Sequence, residues 1–414
     1  MNVLMFAASH YPLDPRIKQE AELLHSNGYN VSVIVLKWEG QPSYEKINDI
    51  NVYRMPRIEL FKRGKHSKSP EQNIFNKVLT LLMAILGYGF EFVYFTSVCF
   101  IFSSYLAFKE KFDVIHTANP PDTLFIVAVF WKIFGKKFIY DHHDLSPDLF
   151  VEKYGEKAKA VYVVLRLLEK ISCKTADFIV APNESYKKTD IKRNGVKPEN
   201  IYIVRNGPNL KEMKISEPIH DIRKMNKSIL CYIGAINIQD GVDYLMIVLA
   251  DIVYKYNFHD ICMVIIGDGD YLHKIKELAD ELNVSKYVIF TGVIYERDEI
   301  CSYLSTADMF VDAAPASFLN HSSTFIKHME YMVFEKPVVS FALKESMYSL
   351  KDAGLFVEPN DTDQMARAII ELIGNKEKRE IMGKNAGRRV KELSWDVVSK
   401  PLISLYQKIG EEFK

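Results

Sequence analysis

The chain has 414 residues, which is too many for one compact core, so we expect two domains. Its 53 basic and 53 acidic side chains balance, which leaves no global field to attract nucleic acid, and no nucleic-acid partner is predicted. Five scattered cysteines lack CxxC or other metal spacing and indicate reduced, mostly buried thiols of a cytoplasmic protein.

The first half of the chain alternates short β-rich runs with amphipathic helical stretches, which predicts βαβ units around a parallel sheet. The N-terminal run is typical of a buried first strand, because it lacks the basic start and the cleavage site of a signal peptide. The predicted elements are a strand at Asn2–Ala7, a helix near Arg16–Asn27, and strands at Asn30–Leu36, Asp113–Thr117 and Lys137–Asp141.

The segment Val78–Ala107 has a single charged residue, Glu91. A membrane crossing is disfavoured, because the strands before and after this segment must pair in one sheet on one side of a bilayer. We expect Gly87, Gly89 and Glu91 to break the segment into a buried helical pair, the favoured arrangement, or a hairpin that dips into one leaflet. A basic run upstream could meet anionic headgroups or form a solvated loop; it contains Arg54, Arg57, Lys62, Arg63, Lys65 and Lys68.

A second series of βαβ units is predicted after Gly207, and the segment Ile203–Pro208 is the linker. We therefore predict an N-terminal domain over 1–207 and a C-terminal domain over 208–397. A C-terminal helix over 398–414 carries an apolar stripe that should return to the N-terminal domain. The stripe is Val398, Leu402, Leu405 and Ile409, and the predicted strands are Ser228–Ile233, Ile261–Ile266, Val288–Thr291, Met309–Asp312 and Pro337–Ser340.

The segment Ser317–Val339 combines three hydroxyls, a lysine and a glutamate near a predicted helix start. Ser323, Lys327 and Glu330 are spaced four and three apart, so they share one helix face. Ser322, Ser323 and Thr324 would meet a diphosphate with free backbone N–H groups and the positive end of the helix dipole. An ionised Glu330 could accept hydrogen bonds from a ribose diol. The alternative is ordinary capping residues with a Lys–Glu surface ion pair.

Several segments together resemble the retaining glycosyltransferases of family 4, and within that family the enzymes of cell-surface polysaccharides. They are Asp14-Pro-Arg16, HTANPPDTLF at His116–Phe125, DHHDLSPDLF at Asp141–Phe150, VRNGPNL at Val204–Leu210, GAINIQDGVDYL at Gly234–Leu245, IGDGD at Ile266–Asp270, FTGVIYERDEICSYLSTAD at Phe290–Asp308, and Ser317–Val339. The resemblance covers nearly the whole chain. It implies the α/β GT-B fold, in which two Rossmann-like doubly wound domains face a central cleft and the C-terminal helix returns to the N-terminal domain.

The resemblance assigns roles to single positions. The second Glu of the family's Glu-x7-Glu signature falls on Glu330, which implies ribose recognition, while the first falls on Ser322. Asn320 matches the Asn of an Asn-Asp-x-Ser-Thr pattern that the subgroup has in this place. The family's histidine near the anomeric carbon aligns with His143, although His142 is adjacent. The backbone of Gly292 and Val293 would contact the base.

Two further positions depart from the family. After Gly234 the family usually has an Arg and, five residues later, a Lys, both on the diphosphate; this chain has Ala235 and Asp240. A helix terminus contributes roughly 0.3–1 kcal/mol toward an anion and a charge-assisted hydrogen bond roughly 1.5–3 kcal/mol, so another cation is needed. The candidates are Lys327, Arg16 and Arg205.

The resemblance implies transfer of a hexosyl or N-acetylhexosaminyl group, with retention, from a nucleotide-diphosphate donor such as a UDP-sugar. The acceptor would be a saccharide, lipid-linked at the inner face of the membrane, which the protein would contact peripherally. His143, Lys327 and Arg16 are the predicted catalytic residues, and neither a metal nor a cofactor is expected. The alternatives are a catalytically silent GT-B protein that binds glycans or a partner, and a sugar-nucleotide epimerase.

Overall fold

The computed structural model describes residues 1–58, 74–155 and 159–413. The chain forms two compact units: unit 1 comprises Met1–Val204 and Ser399–Lys414, and unit 2 comprises Arg205–Val398. The boundary falls inside the predicted linker. All five cysteines are free and buried, as expected. Four lysines and arginines of the predicted basic run, Lys62, Arg63, Lys65 and Lys68, lie outside the described residues.

Unit 1 is built on an eight-stranded sheet. Its strands are β1 (Asn2–Ala7), β2 (Asn30–Leu36), β3 (Tyr44–Ile47), β4 (Ile50–Met55), β5 (Val114–Ala118), β6 (Lys137–Asp141), β7 (Phe178–Ala181) and β8 (Ile201–Ile203). Their order is β3-β4-β2-β1-β5-β6-β7-β8, and only the β3–β4 pair is antiparallel. The inner strands are largely apolar because helices cover both faces of a parallel sheet.

Six helices of unit 1 connect these strands or flank them. They are α1 (Pro15–Ser26), α2 (Ile74–Lys109), α3 (Phe125–Lys132), α4 (Ser146–Tyr154), α5 (Lys159–Thr175) and α6 (Glu184–Thr189). Helix α1 begins where predicted, because the Asp14 carboxylate accepts a hydrogen bond from the Arg16 backbone N–H and Pro15 occupies the first turn.

Helix α2 is one continuous helix of 36 residues, so the predicted break and the buried helical pair are wrong. A glycine inside a helix costs only about 1 kcal/mol relative to alanine, which does not interrupt a long apolar helix. Its part Gly89–Lys109 is long and apolar enough to cross a membrane, a property shared with core helices of soluble proteins. One face of it is packed in unit 1: Phe95 and Cys99 are buried, and the Trp131 indole N–H donates to Ser103 Oγ at 2.9 Å.

Unit 2 contains a six-stranded sheet that is entirely parallel. Its strands are β9 (Ser228–Ile233), β10 (Ile261–Ile266), β11 (Val288–Gly292), β12 (Met309–Asp312), β13 (Val338–Phe341) and β14 (Gly354–Val357). Their order is β11-β10-β9-β12-β13-β14. The order reverses at β9, and open α/β sheets bind ligands beyond the carboxyl ends of the strands at such a switch point.

The helices of unit 2 cover both faces of this sheet. They are α7 (His220–Arg223), α8 (Val242–Ala250), α9 (Leu272–Glu281), α10 (Arg297–Thr306), α11 (Phe318–Ser322), α12 (Ile326–Val333), α13 (Lys344–Leu350), α14 (Thr362–Gly374), α15 (Lys376–Glu392) and α16 (Trp395–Val398). Two apolar clusters lie on the two sides, one around α8, α9 and α14 and the other around α10, α12 and α15.

The last helix, α17 (Lys400–Glu412), belongs to unit 1, which confirms the predicted return. Its stripe Leu402, Leu405 and Ile409 is fully buried. Lys137 at the start of β6 pairs with Glu412 at 2.5 Å. Val398 was wrongly included in the stripe, because it ends α16 and packs on the core of unit 2.

Candidate active site

The one helix predicted within the segment Ser317–Val339 is two helices, α11 and α12, separated by an extended turn. The break has a local cause, since hydroxyl side chains compete with the helical hydrogen bonds. Ser317 Oγ accepts from the Asn320 N–H at 3.1 Å and begins α11, and Ser323 Oγ donates to the Leu319 carbonyl at 2.8 Å and ends it. Ser323 therefore does not share a helix with Lys327 and Glu330, and the predicted common face is wrong for it.

The hydroxyl-rich turn Ser322–Thr324 precedes α12, and some of its side chains already contact other residues of unit 2. Thr324 Oγ1 accepts from Arg205 Nη1 at 3.4 Å, and Ser322 is buried. The amide of Asn320 donates to the carbonyls of Gln239 and Pro315, at 3.0 and 2.9 Å. Asn320 thus ties the loop after β9 to the loop after β12.

Lys327 is a buried cation whose partner is Asp312, at the carboxyl end of β12. Its Nζ lies 2.8 Å from Asp312 Oδ1 and 4.4 Å from the centroid of the Tyr232 ring. Burial opposes the charge on Lys327, but Asp312 outweighs it and raises the pKa of the ammonium. The surface pair with Glu330 that formed the alternative interpretation is therefore not present.

Asp312 has a second partner, His328, whose Nε2 donates to Oδ2 at 2.6 Å. Burial would raise the pKa of this carboxyl, but Lys327 and His328 lower it to about 2. The carboxylate is ionised at neutral pH, so Lys327 is electrostatically balanced before any ligand binds.

Glu330 is largely buried, with 16% of its side chain exposed, and it pairs with Arg297 at 3.4 Å. Burial raises the pKa of Glu330, and Arg297 opposes that shift. Arg297 is a site residue that the sequence did not reveal, because 33 positions separate the pair. Its position in the first turn of α10, after the carboxyl end of β11, was the available signal.

Three glycines bring backbone close together at the carboxyl ends of β9, β10 and β11. The Gly267 N–H donates to the Gly292 carbonyl at 2.9 Å, and the Gly234 N–H donates to the Ile266 carbonyl at 3.0 Å. A Cβ at Gly267 would lie 1.9 Å from the Gly234 oxygen, so only glycine fits there. Beyond this edge Val293 is exposed, which leaves the predicted base-binding backbone at Gly292 accessible.

Ala235 and Asp240, the two positions at which the family usually has cations, lie in the loop after β9. Ala235 is exposed, and its carbonyl accepts from Tyr232 OH at 2.7 Å. Asp240 Oδ2 accepts from the Asn237 N–H at 2.9 Å in a reciprocal capping box, and burial raises the pKa of its carboxyl. Asp240 is therefore a structural cap of this loop.

Arg205, the third candidate cation, is buried and held by unit 2. Its Nη2 pairs with Glu345 Oε2 at 3.1 Å, and its guanidinium lies 4.1 Å from the centroid of the Tyr348 ring. The contact with Thr324 described above connects it to the turn before α12.

In unit 1, Arg16 and His143 both lie at the carboxyl edge of the sheet. Arg16 pairs with Asp14 at 3.2 Å, and His143 Nε2 pairs closely with Asp141 Oδ2. Burial opposes the charge of Arg16, but the carboxylates of Asp14, Asp144 and Asp141 raise its pKa.

The two adjacent histidines are now distinguished. His142 is fully buried and its Nδ1 lies 3.0 Å from Asp190 Oδ1, within a network that includes Cys173 and Asn194. Burial would lower the pKa of His142, but Asp190 raises it to about 9. Its role is internal to unit 1, which leaves His143 as the residue at the sheet edge.

The residues that hold Asp141 were not predicted. His116 on β5 and Glu20 on α1 converge on it, and Tyr406 of α17 contacts His116. Their partners are 25 to 290 positions away in sequence, so no local pattern could have connected them.

Comparisons with known proteins give one consistent result. Residues 16–212 match the family model described as Glycosyltransferase Family 4, and residues 216–389 match the model of Glycosyl transferases group 1. An uncharacterized glycosyltransferase of Methanocaldococcus jannaschii is 24% identical over 399 residues, which cover 94% of this chain and 92% of that protein.

Two further proteins extend this result. The UDP-Gal:alpha-D-GlcNAc-diphosphoundecaprenol alpha-1,3-galactosyltransferase of Escherichia coli is 22% identical over 296 residues, covering 68% of this chain and 71% of its own. Among solved structures, sucrose-phosphate synthase from Thermosynechococcus elongatus superposes with a TM-score of 0.72 at 19% identity, over 100% of both chains, which shows a shared fold.

Proposed function

Because this chain is a family 4-type glycosyltransferase with the GT-B fold, we propose that it transfers a hexosyl or N-acetylhexosaminyl group with retention from a UDP-sugar to a lipid-linked saccharide. The name of the relative from Escherichia coli specifies a UDP-sugar donor and a diphosphoundecaprenol-linked acceptor. This similarity supports the UDP-sugar and the lipid-linked saccharide in the proposal.

The observation that carries the donor assignment is the environment of Glu330. Its carboxylate lies in a largely buried position, and its contact with Arg297, at 3.4 Å, is long for a charge-assisted hydrogen bond. A ribose diol would supply two better donors to the same oxygens. The accessible backbone at Gly292 completes a surface for the nucleoside.

In the proposed reaction the leaving phosphate accepts the acceptor's proton while the acceptor oxygen attacks the same face of the anomeric carbon. The protein then needs to orient the two substrates and to stabilise the charge that develops on the phosphate. Lys327 and the turn Ser322–Thr324 are the proposed groups of unit 2 for this task. Arg16 is the candidate cation of unit 1. His143 would orient the donor sugar.

Replacement of Glu330 by Gln tests the donor assignment. The change preserves shape but removes the charge that should bind the diol, so we expect UDP affinity by calorimetry to fall about tenfold, equivalent to one charged hydrogen bond. Glu371→Gln, an exposed acid on α14, is the matched control. Equal affinity of the Glu330 variant and the wild type would refute the assignment, and a thermal-shift panel of UDP, GDP and ADP would identify the base.

The lipid-linked acceptor is supported by an apolar surface on unit 1, here called the α2–α3 surface. Phe100 of α2 and Phe130 of α3 stack edge to face at 4.9 Å, which places exposed apolar stripes of the two helices side by side. The exposed residues are Val93, Ile101, Tyr105 and Phe108 on α2, Ile126 on α3, and Ile133 and Phe134 in the turn after α3. Phe108 is 94% exposed and Ile133 is 78% exposed, as expected of side chains that enter a bilayer interface.

The charges near this surface favour an anionic bilayer as its partner. The stretches 89–112 and 125–137 carry five lysines and two glutamates, and Lys109, Lys111 and Lys136 lie at the end of the surface formed by Phe108 and Phe134. Near an anionic bilayer each lysine contributes roughly 1 kcal/mol of attraction. Because the other face of α2 packs in unit 1, the helix would lie along the bilayer and not cross it.

Flotation with vesicles of phosphatidylcholine, with or without about 30% phosphatidylglycerol, tests membrane binding. We expect the wild type to float with the anionic vesicles and less so at high salt. The double variant Phe108→Ser/Phe134→Ser should remain soluble, whereas Ile215→Ser/Ile381→Ser, two exposed apolar residues of unit 2, should float like the wild type. A wild type that stays in the soluble fraction at low salt would refute the membrane assignment.

A second candidate, a catalytically silent protein that binds glycans or a partner, is favoured by one observation. Three positions that carry charge in the family are Ala235, Asp240 and Ser322, and Asp240 is committed to a cap. A donor-hydrolysis assay distinguishes the two functions. Slow release of UDP from UDP-sugars supports the transferase, whereas a protein that binds the nucleotide but releases no UDP from the donor supports the silent protein. Conversion of the donor without release would indicate an epimerase.

A further inference from the structure

A buried set of side chains in unit 1 connects the C-terminal helix α17 to His143. Tyr406 OH lies 2.9 Å from His116 Nδ1, and His116 Nε2 lies 3.5 Å from both Asp141 Oδ2 and Glu20 Oε2. Asp141 Oδ2 is in turn paired with His143 Nε2. All five residues are buried, with at most 8% of their surface exposed.

The protonation states follow from burial. Burial raises the pKa of Glu20, and the negative charge of Asp141 raises it further, so Glu20 is neutral. Burial opposes the charge on Asp141 too, but His143 and His116 lower the pKa of that carboxyl. Asp141 therefore carries the negative charge of the set, and the Tyr406 hydroxyl, whose pKa is raised by burial and both acids, keeps its proton.

This arrangement determines which nitrogen of His116 carries the proton. The Tyr406 hydroxyl donates to Nδ1, so the proton of a neutral imidazole is on Nε2, directed at the carboxyl groups. The opposite tautomer would place a nitrogen lone pair against the ionised Asp141. The hydroxyl of Tyr406 thus turns the Nε2–H of His116 toward the Asp141 carboxylate, whose Oδ2 lies 3.5 Å away, so the link between the two is electrostatic.

We propose that Tyr406 is a positioning residue for His143: through His116 it holds Asp141 in the orientation that fixes the His143 imidazole. Helix α17 then contributes to the active site of unit 1 as well as to its core. The inference rests on the proposed function only for the role of His143 in transfer. The other charged or titratable groups around the set are Asp14 and Arg16 at the start of α1, Asp144 after β6, and Tyr29, whose ring lies 5.4 Å from that of Tyr406.

The test is Tyr406→Phe, which removes one hydroxyl and keeps the ring, with Tyr29→Phe as the matched control for ring contacts. Histidine-selective ¹⁵N NMR should show His116 as the Nε2–H tautomer in the wild type. In the Tyr406 variant the ring-nitrogen signals of both His116 and His143 should change. We expect kcat to fall roughly ten- to hundredfold, as for a misplaced catalytic group, with the KM for the donor within about twofold and a shifted pH profile.

Unchanged His143 signals and an unchanged kcat–pH profile in Tyr406→Phe would overturn the proposal, because a purely structural hydroxyl would alter only stability. The signal of His142, which is fully buried in unit 1, reports that this unit of the variant is folded. The ligand atoms of Glu20, His116 and Asp141 lie within 4.8 Å of one another, so added Zn²⁺ that shifts His116 and His143 together would also overturn it. The NMR readout needs no turnover, so absent transferase activity would refute the proposed function and leave this inference standing.

Discussion

At the scale of single residues, Lys327 has two roles that compete for the same positive charge. Its ammonium compensates the buried Asp312, and the proposed reaction also needs its charge on the diphosphate. The opposite charges of a buried ion pair at 2.8 Å largely cancel at a distance. An anion close to the ammonium group, however, is still attracted by it. We therefore expect Lys327 to be shared between Asp312 and the diphosphate.

Replacement of Lys327 and of Asp312 should have opposite effects on donor binding. Lys327→Ala leaves the buried Asp312 carboxylate with its His328 contact but without the lysine charge, so we expect a loss of about 3–5 kcal/mol in the free energy of unfolding and weak UDP binding. Asp312→Asn should also destabilise the fold, but it frees the Lys327 charge and should keep or raise UDP affinity. Calorimetry on both folded variants below their unfolding transitions is the measurement, and an equal loss of affinity in both would show that Lys327 is purely structural.

His142 should make the stability of unit 1 fall as the pH rises above neutrality. Its folded pKa of about 9 exceeds the unfolded value of 6.5, so its contribution is complete below pH 6.5 and is lost as the pH rises through 9. Urea unfolding of unit 1 between pH 6.5 and 8 should show this decline, and His142→Gln should flatten it. Above pH 8 the buried Lys336 of unit 2, whose pKa burial lowers to about 8, acts with the opposite sign, so a flat wild-type profile below pH 8 would contradict the prediction.

The sequence nominated candidate site residues but not their partners. Glu330, Lys327 and His143 could be proposed from the sequence because local spacing and motif positions mark them. Asp312 and Arg297, which decide how the first two behave, come from neighbouring strands and helices and leave no local signal. The charge balance of a site depends on such long-range pairs, so it could not be read before the fold.

At the scale of elements, the loops after the strands of unit 2 depend on glycines for two separable reasons. Gly241 has φ of +71°, and a Cβ there would lie 1.9 Å from the Ala313 carbonyl oxygen. Gly292 has a similar φ of +73° but open space around the position of a Cβ. A comparison of alanine substitutions at the two glycines therefore distinguishes the cost of backbone strain from the cost of steric overlap.

Gly241→Ala should therefore be far more damaging than Gly292→Ala. The left-handed backbone alone costs about 1–2 kcal/mol for alanine, which is the loss expected for Gly292→Ala in urea unfolding. Gly241→Ala must in addition separate the start of α8 from the loop after β12, and we expect a loss of at least about 3 kcal/mol. Similar losses in the two variants would show that the loop relaxes around the new methyl group.

At the scale of the whole molecule, the alternation of strands and helices predicted two parallel-sheet units because most of their core strands are largely apolar runs. Five strands were missed. Of these, β3, β7, β8 and β14 are three or four residues long and carry too few residues for a pattern, and β4, six residues long, is interrupted by Asn51 and Arg54. The continuity of α2 was missed because glycine was given too much weight as a breaker. Only packing in unit 1 decides which of its faces is buried.

The return of α17 ties the end of the chain to unit 1, so removal of Ser399–Lys414 should destabilise that unit selectively. The deletion uncovers the apolar surface under Leu402, Leu405 and Ile409 and removes the Tyr406 hydroxyl from His116. Full burial of three large aliphatic side chains is worth roughly 1.5–3 kcal/mol each, so the transition of unit 1 in calorimetry should fall well below that of unit 2 or disappear. Removal of residues 411–414 alone, which costs mainly the exposed Lys137–Glu412 pair, should leave both transitions nearly unchanged. A single cooperative transition that shifts equally in both deletions would contradict the division of the chain into two separately folding units.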